Sequence, residues 1–395
     1  MPANSATSSS LTVAYYLPQF HTIPENDKWW GEGFTEWVNV KKADPQYFGH
    51  DHPRIATDLG EYNLDDIQVM HRQSVLAKAH DINAFCFYHY WFDGQRLLEK
   101  PLNNYLKNGP DFPFCISWAN ENWTRRWDGK DHEVLIGQKY TDSTADEVFA
   151  SFIPYLSDPR YLRVDGALVL VVHRMDHIPN AVEITARWRL LANQHGLGEL
   201  NIIAAETKEG IHPQSFGVDA VAEFPPVGSN TLGSAQLLPV KGLSPDFRGR
   251  IMSYPRMARR FMRRATPSFT RYRAVAPGWD NTARRGRSAT IYLDSSPAVY
   301  REWLAHARKM EDARQTSTGL VFINAWNEWA EGAYLEPDAS WGLNFLEATR
   351  RGCAPLPAAS RTHLGAPSRA WARSVILAGM GSGVSLLRKL KSPWR

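Results

Sequence analysis

Apolar residues in this chain come in short dense runs separated by stretches of helical spacing, and that alternation predicts the architecture. Val13–Phe20 (VAYYLPQF) reads as a first strand ending at Pro18. Ala84–Phe92 (AFCFYHYWF), Phe114–Asn120 (FCISWAN), Ala167–Arg174 (ALVLVVHR), Asn201–Thr207 (NIIAAET) and Asp219–Pro226 (DAVAEFPP) follow as further strands. Ala274–Trp279 is a weak seventh and Gly319–Ala325 an eighth. Runs that are apolar at every position fit parallel strands covered on both faces. Leu64–His80 places Ile67, Met70, Val75, Leu76 and Ala79 at helical spacing. Gln95–Lys107, Ser143–Leu156, Pro179–His195, Pro297–Gln315 and Ser340–Arg351 also read as helices. Eight strands with mostly helical connections predict an α/β fold, a (β/α)8 TIM barrel over residues 11–351. Val227–Thr270 breaks the rhythm and is expected to be an insertion with short helices around Pro255–Arg264.

The eighth run changes character at its end. Leu320-Val321-Phe322-Ile323 opens directly into Asn324, Trp326, Asn327, Glu328, Trp329, Glu331 and Gly332. In a barrel, the C-terminal ends of the strands form the catalytic rim. Two carboxylates three residues apart among indoles suit a sugar site, where one acid and one base flank a glycosidic bond. Glu328 and Glu331 are therefore the candidate catalytic pair, with Trp326 and Asn327 beside them. Trp118, Asn120, Glu121 and Trp123 end the third strand with similar chemistry. At the end of the second strand, alternation points His89 and Trp91 one way and Tyr88 and Tyr90 the other. His89 and Trp91 are taken as the sugar-facing pair. Glu36 and Trp37 come from the polar aromatic loop WWGEGFTEW, and Trp279 and Asp280 from the end of the seventh strand. Asp280 is either the satisfied partner of an arginine or a hydroxyl-binding carboxylate.

Charge adds a second layer. The net charge of +4 conceals twelve arginines against one acid between Phe247 and Arg287. From Gly352 to Arg395 there are seven basic residues and no acid, which leaves the remainder net acidic by about fourteen charges. Residues 352–395, rich in Ala, Pro, Ser, Gly and Arg, are expected to form a basic disordered tail. The arginine-rich segments are either solvated faces or contacts for an anionic partner. Leu386–Lys391 mixes leucine with lysine and arginine, as a segment lying on an anionic membrane surface would. Cys86 and Cys115 sit in apolar runs and Cys353 has no metal spacing, so reduced thiols are expected rather than a disulfide framework. The N-terminus lacks the basic and apolar regions of a secretory leader, and no run approaches the roughly 20 apolar residues of a membrane span. A cytoplasmic location, with contact at the inner membrane face through the tail, is the expectation.

Several functions are excluded by missing motifs. The sequence contains no G-x-x-x-x-G-K-[ST], H-E-x-x-H, G-x-S-x-G, G-x-G-x-x-G or Asp-x-Asp. His50-Asp51-His52 has metal-ligand residue types but no supporting cluster nearby, and it reads as plain loop. No metal, no cofactor and no nucleic-acid partner is expected.

The segments AYYLPQFHTIPENDKWWGEGFTEWVNV, FCFYHYWF, ISWANENWTRRWDG, GWDNTARR and NAWNEWAEGAYLEPD together resemble the WbsX-like proteins of bacterial polysaccharide biosynthesis. That resemblance covers Val13–Arg351. More distantly, Asn327–Gly332 (N-E-W-x-E-G) is similar to the endo-α-mannosidases of glycoside hydrolase family 99. The latter resemblance implies a retaining, endo-acting enzyme without metal chemistry. Glu328 would deprotonate the sugar 2-hydroxyl to give a 1,2-anhydro intermediate. Glu331 would protonate the leaving group and then activate water. The expected substrate is an oligo- or polysaccharide of the O-antigen or capsule type, or its lipid-linked precursor. The competing readings are a glycosyltransferase of the same pathway and an inactive glycan-binding protein.

Overall fold

The computed structural model describes residues 9–125, 130–141, 143–314, 317–352 and 365–391. Eight strands form its centre: β1 (Leu11–Tyr16), β2 (Ala84–Phe92), β3 (Phe114–Trp118), β4 (Ala167–Val172), β5 (Leu200–Ala205), β6 (Ala220–Ala222), β7 (Arg271–Val275) and β8 (Leu320–Ile323). Each pairs in parallel with its neighbours, and β1 meets both β8 (Ala14 with Ile323) and β2 (Tyr15 with Cys86), which closes the barrel. Around it lie α1 (Ile67–Ala79), α2 (Lys100–Asn108), α3 (Thr144–Leu156), α4 (Ala181–Gln194), α5 (Tyr254–Met262), α6 (Thr282–Arg285), α7 (Pro297–Asp312) and α8 (Asn344–Thr349). The β5–β6 connection carries only a 3-10 turn at Pro213–Phe216.

The predicted barrel is present, with shifted boundaries. Residues Gln95–Leu97 are not helical but pair antiparallel with the end of β2, so α2 starts at Lys100. β7 begins at Arg271, three residues before the run read from sequence. Two arginines disguise it: Arg271 Nε and Arg273 Nη1 lie 3.6 and 3.2 Å from Glu223 Oε1. Arg264 reaches the same oxygen at 3.2 Å and pairs with Glu206 at 2.7 Å. Much of the arginine-rich segment is therefore neutralised inside the fold. The insertion adds a short strand, Arg250–Ser253, parallel to Thr290–Leu293, and α5 covers the expected helix.

Strand alternation sorts the aromatic side chains. Tyr15 is fully buried and packs on Tyr88, Phe224 and Phe322 with ring centroids 5.3–5.7 Å apart. Phe85, Phe87 and His89 point outward, onto Phe112, Tyr105 and Phe152. Cys86 and Cys115, in register on β2 and β3, are free and buried as expected.

The tail departs from expectation. Residues Arg369–Lys391 form a helix, α9, whose first turns dock on the insertion. Ala370, Ser374 and Ala378 are buried at four-residue spacing, and Ser374 Oγ accepts from Ile251 N–H at 2.7 Å. Small side chains at that spacing allow close approach, which composition alone does not reveal. Arg126–Gly129, residues 353–364 and the last four residues lie outside the described segments, as do the side chains of Leu386–Lys391. Among the described residues, no helix is long and apolar enough to cross a membrane.

Candidate active site

Beyond Ile323 the chain stays pinned to the barrel rim. Asn324 N–H donates to Val275 O, and Trp326 N–H to Tyr15 O. The Asn327 amide then clasps the end of β1, accepting from Leu17 N–H at 2.8 Å and donating to Leu17 O at 3.0 Å. Asn327–Glu328 pairs antiparallel with Ala333–Tyr334 around a 3-10 turn at Trp329–Glu331. Gly332 is needed at the exit, because its φ is +60° and a Cβ there would collide with the Arg54 guanidinium. This tight hairpin turns Glu328 and Glu331 into a cleft of about 530 Å³.

One guanidinium organises the floor of that cleft. Arg284, on α6, lies 3.0 Å from Glu328 Oε1 and 3.0 Å from Glu331 Oε1, and forks onto Glu36 at 3.0 and 3.1 Å. Its contact with Glu328 is an ion pair rather than a hydrogen bond, because Oε1 has no aligned donor. That oxygen thus keeps an acceptor position. Burial pushes both glutamates above the usual carboxylate range, and Arg284 opposes the shift in each. The neighbouring charge of Glu331 adds to the push on Glu328, and that of Glu36 to the push on Glu331. A buried carboxyl pair sharing one cation suits proton transfer near neutral pH.

Of the sequence candidates, Glu36, Glu121, Trp123, Trp279, Glu328 and Glu331 line the cleft. Glu121 is held by Arg174 Nη1 at 2.5 Å. The remaining candidates sit behind it. Trp326 is fully buried beneath the hairpin, and the Trp37 indole donates to Tyr62 O at 2.8 Å. Asn120 is a buried clasp between Arg174 and Tyr140. Trp118 and Trp91 pack in the outer core, and His89 meets Ser151 Oγ at 3.0 Å under α3. Desolvation lowers the His89 pKa to about 3, so its ring is neutral. The alternation at the end of β2 is as expected, but the face turned to the cleft is that of Tyr88 and Tyr90. Trp30, Phe34 and Phe224 complete the aromatic lining. The loop WWGEGFTEW thus contributes Trp30 and Phe34 in place of Trp37.

Asp280 is a buried hub rather than a ligand for substrate. Its Oδ2 receives His50 Nε2 and His52 Nε2 at 2.7 Å each and Arg54 Nη2 at 3.2 Å. Its Oδ1 accepts from Thr282 N–H and Oγ–H. Burial would raise its pKa, but His52 and His50 hold it well below the usual range. Through its own N–H, Asp280 bonds Glu331 O at 2.6 Å. It therefore fixes both the start of α6, which carries Arg284, and the hairpin that carries Glu328 and Glu331. His50 and His52 form part of this clamp rather than a plain loop. The composition His50, His52 and Asp280 could hold a metal. However, His50 Nδ1 accepts Gln46 N–H at 3.0 Å, so its Nε2 must carry the proton given to Asp280. Arg54 occupies a further position around the same oxygen. Asp280→Asn is expected to cost about 3–5 kcal/mol, because it leaves buried donors and Arg54 uncompensated. Urea unfolding of the variant measures this, and a change under 1 kcal/mol would refute the hub.

Sequence reasoning missed Arg284, Tyr88, Tyr90, Trp30 and Phe34 as cleft residues. It also missed Glu336, a buried acid that accepts from Gln73, Tyr62 and Trp329 at 2.7–2.9 Å. For Arg284 the available signal was chemical: three glutamates on one rim require a cation, and GWDNTARR ends a neighbouring strand.

Comparison with known proteins agrees with this geometry at the level of family and fold. The family model described as glycosyltransferase WbsX matches residues 12–349. The uncharacterized protein WxcX of Xanthomonas campestris pv. campestris is 44% identical over 355 residues, which cover 89% of this chain and 50% of WxcX. The chain thus spans half the length of that relative. Among solved structures, a glycoside hydrolase-like protein superposes with a TM-score of 0.53 at 14% identity, covering 89% of this chain and 96% of that one. The family 99 endo-α-mannosidase of Bacteroides thetaiotaomicron gives a TM-score of 0.47 at 15% identity, covering 96% and 98%.

Proposed function

We propose, from the premise that this chain belongs to the WbsX family, that it cleaves or transfers glycosidic bonds of a bacterial surface polysaccharide. The observation that carries this reading is the pair Glu328 and Glu331, bridged by Arg284 on the floor of an aromatic-walled cleft. Glu328 takes the proton of the sugar 2-hydroxyl as O2 attacks C1. Glu331 gives its proton to the glycosidic oxygen as the C1–O bond breaks, leaving a 1,2-anhydro sugar. Glu331 then removes a proton from water or from an acceptor hydroxyl, which attacks C1. Glu328 returns the proton to O2 as the ring opens. Two inversions at C1 give net retention. Water as acceptor makes the enzyme an endo-hydrolase, and a glycan hydroxyl makes it a transglycosylase. Incubation with O-antigen and capsular polysaccharides tests the reading by the appearance of new reducing ends or of exchanged chain lengths. A panel that yields neither would overturn it.

The family's description favours a second reading, a glycosyltransferase. Tight binding of a sugar nucleotide, with transfer to a glycan acceptor, would establish it in place of the first. The substrate in either case is an oligo- or polysaccharide, with a lipid-linked precursor reached from the membrane surface through the basic tail. Co-sedimentation with anionic liposomes compares the full chain with one ending at Arg351. The full chain is expected to bind more at low salt than at high salt, and equal sedimentation would remove the tail's role.

A further inference from the structure

We infer that the cleft takes a glycan bearing an oxyanion, either a uronate carboxylate or a phosphate, and that Arg250 receives it. The inference rests on the glycan reading above and names the substrate class. Arg250 opens the strand Arg250–Ser253 and is in parallel register with Thr290. Both residues line the cleft beside Ser288 and Asn281. Of the cleft arginines, Arg284 is committed to three glutamates. Arg250 differs. Its backbone N–H goes to Ala289 O, but its buried Nε has no hydrogen-bond partner. No carboxylate among the described residues forms an ion pair with it. The nearby phenol of Tyr292 is tied instead to Ser229 and Asn230.

A guanidinium cannot shed its proton to relieve such a position. Its planar fork matches two oxygens of a carboxylate or phosphate, and enclosure in a cleft strengthens that pairing. A sugar hydroxyl offers one acceptor and no charge. The neighbouring Ser288, Thr290 and Asn281 side chains supply further polar contacts around the anion. The acids of the cleft already have cation partners, Arg284 for Glu36, Glu328 and Glu331, and Arg174 for Glu121. Arg250 therefore has no internal anion to satisfy, and a ligand anion fits its place.

Ligand-observed NMR titration of the full chain separates the possibilities. Methyl β-D-glucuronide and methyl β-D-glucoside differ only at C6, and glucose 1-phosphate with inorganic phosphate forms the second arm. One acidic sugar is expected to bind at least tenfold tighter than the neutral glucoside. Arg250→Gln should abolish that preference, Arg250→Lys should weaken it by removing the fork, and Arg248→Gln, at an exposed position, should preserve it. Which acidic sugar binds identifies carboxylate or phosphate as the source. Equal binding of acidic and neutral sugars overturns the subsite, as does a preference that survives Arg250→Gln. So does inorganic phosphate binding as tightly as glucose 1-phosphate. None of these results touches the Glu328 and Glu331 assignment, which turnover of glutamine variants tests separately.

Discussion

Replacing Glu331 by Gln is expected to reduce kcat by about 10²–10⁴-fold while leaving the fold intact, and the same loss is expected for Glu328→Gln. Each substitution preserves shape and removes a titrating proton. The two variants should differ in what rescues them. If Glu331 protonates the leaving oxygen, an aryl glycoside whose phenolate departs unaided restores bond cleavage in Glu331→Gln. The same substrate leaves Glu328→Gln slow, because the 2-hydroxyl still has no base. Measuring the first-turnover rate of aglycone release for both variants on a natural and an activated substrate decides the roles. Near-normal turnover of both would show that this cleft is not the catalytic site. Rescue of Glu328→Gln alone would exchange the two assignments.

Arg284→Met is expected to damage both stability and the pH profile. The guanidinium touches Glu36, Glu328 and Glu331, whose side chains are 1%, 8% and 23% exposed. Removing it leaves buried carboxylates without a counter-charge, at a cost of about 3–5 kcal/mol near neutral pH. The sign follows from linkage. Glu328 and Glu331 already stand above the usual range because of burial, and loss of Arg284 moves both higher still. A carboxyl whose folded-state pKa is raised stabilises the fold fully below its unfolded value of about 4.3 and loses that contribution as pH rises through the folded value. The gap between wild type and variant should therefore be small near pH 4 and widen towards neutrality. The acid limb of kcat/KM should move upward as well, since ionisation of the base requires a higher pH. Thermal unfolding and rate profiles across that range test both statements, and parallel curves for the two proteins would contradict the shared-cation account.

The protein's own sequence determined the architecture and the strand end at which the candidate glutamate pair stands. Runs such as ALVLVVHR are apolar on both faces, as barrel strands must be when helices cover one side and a packed interior the other. The abrupt change from Leu320–Ile323 to Asn327-Glu328 marks a strand leaving that core, and the structure places both glutamates at its rim. The same two-sided burial hid which face of a strand end meets the cleft. Tyr88 and His89 are equally at home in an apolar run, and only the closed barrel, with Tyr15 packed on Tyr88, decides that tyrosine faces inward. Buried clasps were likewise indistinguishable from ligands, since Asn120, Asn327 and Asp280 show the residue types a sugar site uses. What separates them is partner satisfaction, which depends on segments far away in the chain. Asp280 meets His50 across 230 residues, and Arg284 meets Glu36 across 248. Such pairings carry no local period and no spacing. They arise only when the barrel closes and removes water from between charges. The need for a cation was therefore legible in the three glutamates, but which arginine meets it was decided by the tertiary structure.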